Sequence, residues 1–101
     1  MTVRLLLRLE GLAIAAGAVA LYADGDHSWW LFTLLILAPD LSFLGYLAGP
    51  RVGAAAYNLL HNLVLPIALG SAGVLADSGG AVAVAVIWLT HIGVDRLIGY
   101  G

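Results

Sequence analysis

The sequence has no cysteine and no lysine. Without cysteine there is no disulfide framework, no thiolate metal site and no cysteine nucleophile. Without lysine, the only cations are Arg4, Arg8, Arg51 and Arg96. Charge of either sign is scarce: 10% of the 101 residues carry it, against about 25% in a soluble domain. Too few polar side chains remain to cover a water-facing surface. That excludes an ordinary soluble globule, and with no basic face it excludes a nucleic-acid partner. A hydrophobic content of 62% excludes a disordered chain. The net charge of −2 argues for no charged partner. Gly-x-Ser-x-Gly is also missing, so there is no nucleophile elbow for a lipid hydrolase.

What is present is apolar sequence, with a mean hydropathy of +1.03. One integral membrane domain is the class that remains. A helix crosses the hydrocarbon core with about 20 mainly apolar residues, and four such stretches account for nearly the whole chain. They run from about 3 to 23, 29 to 48, 53 to 76 and 81 to 98. Polar or glycine-rich punctuation separates them: Ala23-Asp24-Gly25-Asp26-His27-Ser28, Gly49-Pro50-Arg51 and Asp77-Ser78-Gly79-Gly80. Trp29-Trp30 opens the second stretch as an interfacial aromatic pair. The expected fold is all-α, a four-transmembrane-helix bundle. With four spans, every arginine falls on one side and Asp24, Asp26 and Asp77 on the other. The positive-inside rule then puts both N and C termini in the cytoplasm of a multi-pass protein of the bacterial inner membrane. The first stretch also carries signal-peptide features, including Ala18-Val19-Ala20, but Glu10 interrupts its apolar run.

Polar residues inside the spans need a separate account. A charge at a helix centre costs about 2.5–3.5 kcal/mol on insertion scales, so it must pair, neutralise or face water. The residues concerned are Glu10, Asp40, Asn58, His61, Asn62, His91, Asp95 and Arg96. At 1.5 Å per residue, Glu10 lies roughly 10–12 Å from the inner end of its span and Asp40 and His61 roughly 13–15 Å. His91 falls at a similar depth, with Asp95 one turn nearer the cytoplasm. Four helices thus contribute to one polar layer. His91 and Asp95 share a face at i,i+4, as do Tyr57 with His61 and Asn58 with Asn62. Pro39 and Pro66 are expected to free the carbonyls of Leu35 and Asn62 near this layer. Ala13, Gly17 and Ala20 lie on the stripe of Glu10, which is read as a packing face directing Glu10 inward. The plainer reading of the same residues is structural: asparagines that bind helices together, an Asp95–Arg96 interfacial pair with Arg96 snorkelling, and Arg8 pairing with Glu10. Arg4, Arg51, Asp24, Asp26, Asp77 and His27 are read as topology and loop charges.

Several stretches occur together in a recognisable order: Arg8-Leu9-Glu10-Gly11, Ala38-Pro39-Asp40-Leu41-Ser42, Gly45 to Gly53, Tyr57 to His61, and His91 to Gly101. Over nearly the whole chain they resemble domain-of-unknown-function family 4260, small four-helix membrane proteins of bacteria. The resemblance implies fold and membrane location and brings no activity. The similarity to small multidrug transporters is one of size, with a glutamate on the first helix.

Three functions follow as expectations. The first is an intramembrane metal site, with Asp40, His61 and His91 as ligands of Zn or Fe and Glu10 or Asp95 as fourth ligand or acid/base. Tyr57, Asn58, Asn62 and Arg96 would be its polar supports. A haem between His61 and His91 ranks below an ion because two aspartates crowd the space. The second is proton-coupled transport of an ion or small solute by a homodimer. The third is a non-catalytic membrane subunit or assembly factor.

Overall fold

The computed structural model describes residues 2–25 and 27–99. The loop charge Asp26 and the closing Tyr100-Gly101 lie outside them. Among the described residues the chain is helical throughout, with no strand. Helix α1 (Val3–Asp24) is opened by Thr2, whose hydroxyl accepts from Leu5 N at 3.1 Å. Helix α2 (Trp29–Leu35) is capped in the same way by Ser28. After Ile36 and Leu37 the chain tightens into a 3-10 helix (Ala38–Ala48), with Pro39 in its first turn. Helix α3 (Pro50–His61), α4 (Val64–Leu75) and α5 (Gly79–Leu97) complete the chain.

Three helical stretches are long and apolar enough to cross a membrane: Val3–Asp24, Trp29–Ala48 and Gly79–Leu97. Helices α3 and α4 make a fourth if their 41° bend is counted within one span. Helix α3 begins at Pro50, because Gly49 takes φ +122 to end the 3-10 helix and Pro50 then starts the next. The third stretch is not one continuous helix, since Asn62 is extended at φ −86, ψ 161.

Lipid tails are as apolar as leucine, so helices associate in a bilayer through close packing. Helices α1 and α5 run antiparallel and meet through small residues. Gly11 and Gly93 face each other so tightly that a Cβ on Gly93 would sit 2.6 Å from Ala15 N. The buried stripe of α1 is Gly11, Ala15, Ala18 and Tyr22. This corrects the expected stripe: Ala13, Gly17, Ala20 and Glu10 all face outward. Both stripes are rich in small residues, and the glycine opposite Gly93 decides between them. Arg8 Nε donates to Leu97 O at 2.8 Å, which ties the start of α1 to the end of α5. Helix α4 packs along the first half of α5, with Gly73 against Ala81 and Val82. Helix α3 packs on the 3-10 helix, where Gly45 meets Ala56 and Gly53.

Candidate metal centre

The second and third stretches of the chain each leave regular helix at one place, and both places face α5. In hydrocarbon every peptide group needs a partner, so a broken helix survives only where protein groups take up the freed bonds. At the α3–α4 break, side chains take up much of the freed bonding. Four carbonyls near the end of α3 are reached in turn: Tyr57 O by His61 Nδ1 at 2.9 Å, Asn58 O and Leu59 O by Asn62 Nδ2 at 2.9 and 2.7 Å, and Leu60 O by Trp88 Nε1 at 2.5 Å. The first amides of α4, Val64 N and Leu65 N, donate to Asn62 Oδ1 at 2.8 and 3.2 Å. Pro66 has no amide to satisfy, and Ile67 N reaches Leu63 O at 3.1 Å. Pro66 therefore belongs to the opening turn of α4, where its missing donor costs nothing. The expected kink is there, but the side chain of Asn62 makes it.

At the other break, His91 Nδ1 donates to Ile36 O at 2.5 Å. The carbonyl used is one residue beyond the Leu35 carbonyl expected from Pro39. The change from α to 3-10 winding turns Ile36 O toward α5 and carries Asp40 to the same level.

Between the breaks four side chains converge. Asp40 comes from the 3-10 helix, His61 from the end of α3, and His91 and Asp95 from successive turns of α5. One ligand atom from each lies within 4.8 Å of the other three. His91 Nε2 is 3.2 Å from His61 Nε2, 3.1 Å from Asp40 Oδ1 and 3.2 Å from Asp95 Oδ2. His61 Nε2 is 3.3 Å from Asp95 Oδ2 and 3.6 Å from Asp40 Oδ1. Both imidazoles are buried, with 6% and 5% of their side chains accessible, while Asp40 is 42% accessible and marks the open side. The ring of His61 stacks on Tyr57 at 3.9 Å and 9°, which fixes its plane.

The chemistry follows from donors and acceptors. Each Nδ1 faces a carbonyl, which only accepts, so each Nδ1 carries the proton. In a neutral ring that leaves Nε2 as a bare lone pair. Two such lone pairs and two carboxylate oxygens then point at one another with no donor among them. This set is satisfied by a cation at its centre or by added protons. Zinc at 2.0–2.1 Å from four ligands has ligand–ligand edges of about 3.3–3.4 Å. The five nitrogen–oxygen and nitrogen–nitrogen separations, 3.1–3.6 Å, bracket that value. Nδ1 bonded to a backbone carbonyl is also the usual support for a histidine ligating through Nε2. A haem does not fit, because nitrogens 3.2 Å apart leave no space for a macrocycle between them.

Glu10, expected as a fourth ligand or base, is exposed on α1 and stands outside the group. Asp95 completes it. Two expected ion pairs are not made among the described residues. Asp95 turns to the histidines and away from Arg96, and Arg8 binds a carbonyl in place of Glu10. Of the supporting residues, Tyr57, Asn58, Asn62 and Arg96 line a cavity of about 350 Å³ that reaches His61 and Asp95. A smaller apolar cavity of about 180 Å³ lies on the other side, against Pro39, Leu60 and Trp88. Sequence reasoning missed the carbonyls of Ile36 and Tyr57 that orient the histidines, and no sequence signal points to them.

The family model described as Domain of unknown function (DUF4260) matches residues 4–101, and the chain belongs to that family. Neither the curated proteins nor the solved structures contain a match.

Proposed function

We propose that this DUF4260 chain is a membrane protein that binds a divalent metal ion within the bilayer, through Asp40, His61, His91 and Asp95. The single observation behind this reading is the meeting of two Nε2 lone pairs and two carboxylate oxygens at 3.1–3.6 Å, with no donor among them. Two imidazoles and two carboxylates suit zinc or ferrous iron. Two negative charges around a divalent ion give a neutral centre, which is what a low-dielectric site tolerates. In the same reading the chain crosses the bacterial inner membrane several times, with both termini in the cytoplasm. The Arg8–Leu97 bond, which joins the two arginine-bearing ends, supports that orientation.

Metal analysis of the purified protein tests the proposal. The expected result is about one zinc or iron per chain, lost in His61→Ala and His91→Ala. Protein without metal, after purification free of chelators and reloading with zinc, overturns it.

A second reading has its own support. Protons also satisfy converging acceptors, and the open side of Asp40 gives them a route. The group would then relay protons in coupled transport of an ion or small solute. Its mark is a pH-driven flux into liposomes that Asp40→Asn abolishes and metal removal leaves intact.

A further inference from the structure

We infer that the cavity beside the centre is an oxyanion subsite, holding a phosphate or carboxylate group between Arg96 and the metal. The inference rests on the metal reading for the inner of these two anchors. The cavity, about 350 Å³, lies between α3 and α5. That is within the range of small-ligand sites. Its inner end is formed by His61 and Asp95, two of the four converging residues. Its outer wall carries Arg96 and Asn58.

The two ends have opposite chemistry. The inner end offers only acceptors and would hold the cation. The outer end adds the guanidinium of Arg96, which only donates, and the side-chain amide of Asn58. Among the described residues Arg96 has no carboxylate partner, although Asp95 precedes it, because Asp95 is committed to both histidines. The stem of Arg96 packs over Gly11 of α1, so the side chain is anchored at its base. The side-chain amide of Asn58 makes no bond to a described residue. That of Asn62 is fully used at the helix break and adds nothing.

Charge selects the ligand. With a divalent ion, Asp40 and Asp95 are neutralised, and Arg96 is the one uncompensated charge lining the cavity. Arginine binds carboxylate and phosphate through a fork of parallel N–H bonds. A metal takes another oxygen of the same group. Both a free anion and a lipid phosphate carry this chemistry, since the cavity lies toward the end of α5 where Arg8 and Leu97 meet.

The test uses the full chain in phosphatidylcholine nanodiscs, loaded with zinc and dialysed. Inorganic phosphate is titrated by calorimetry. In parallel, nanodiscs doped with phosphatidic acid are assayed for retention of that lipid. The expected result is saturable binding in one arm, weakened roughly tenfold or more by Arg96→Gln with zinc content unchanged. Phosphate binding assigns a free oxyanion, and retention of phosphatidic acid assigns a lipid headgroup. Asn58→Ala should weaken the same arm by a smaller factor, and it serves as the second variant if Arg96→Gln does not fold. Zinc-loaded protein in which neither arm depends on Arg96 or Asn58 overturns the subsite and leaves the metal reading standing. Protein that binds phosphate through Arg96 equally well with and without zinc overturns the inner anchor.

Discussion

A histidine whose Nδ1–H is held by a backbone carbonyl has one lone pair left to give. His61 and His91 are both held in this way, by Tyr57 O and Ile36 O, and their Nε2 atoms face each other at 3.2 Å. The role of each residue in the centre can be separated by substitution. His91→Ala should lower zinc affinity by more than about 100-fold, beyond the usual effect of removing an outer-shell partner. Competition with a chromophoric chelator measures it. Glu10→Gln should leave zinc affinity unchanged in the same assay, because Glu10 stands outside the group. Affinity should fall as the medium is acidified, since protons compete for the imidazole nitrogens and carboxylates. Much of this group was legible in the sequence. The spacing of His91 and Asp95 places both on one face, and depth counting brings Asp40 and His61 to their level. Glu10 was misread because α1 has two stripes of small residues. Sequence alone does not say which of them meets α5.

Two helix breaks turn these residues toward one another. Asn62 closes the break between α3 and α4 by accepting from two amides and donating to two carbonyls. Asn62→Leu should therefore cost about 2 kcal/mol or more, because freed peptide groups in hydrocarbon find no water. It should also weaken zinc binding while leaving all four ligands in place. Denaturation in mixed micelles and the chelator assay read the two effects separately. Trp88→Phe removes one donor, to Leu60 O, and should cost about 1–2 kcal/mol. The prolines announced irregular backbone near the site, but not its cause. Pro66 opens α4 after a break that Asn62 has already made. The length of the 3-10 helix, from Ala38 to Ala48, has no sequence signal beyond Pro39 at its start.

At the scale of the whole molecule, packing rests on the approach of α1 to α5. Gly93→Leu would drive a side chain into the backbone of Ala15 and Gly11 and should destabilise the protein by about 1–3 kcal/mol or prevent folding. Gly17→Ala meets open space and should be close to neutral in the same unfolding assay. The apolar stretches were legible from length and hydropathy alone. What lay beyond the sequence was their continuity, since a bent pair and a tightened helix keep the same composition as straight spans.

The central claim is that Asp40, His61, His91 and Asp95 enclose one metal ion. X-ray absorption spectroscopy of the zinc-loaded protein tests it most directly. The account predicts four nitrogen or oxygen ligands at about 2.0–2.1 Å, with the outer-shell scattering of two imidazoles. Zinc surrounded by water, or a spectrum without imidazole scattering, would contradict it.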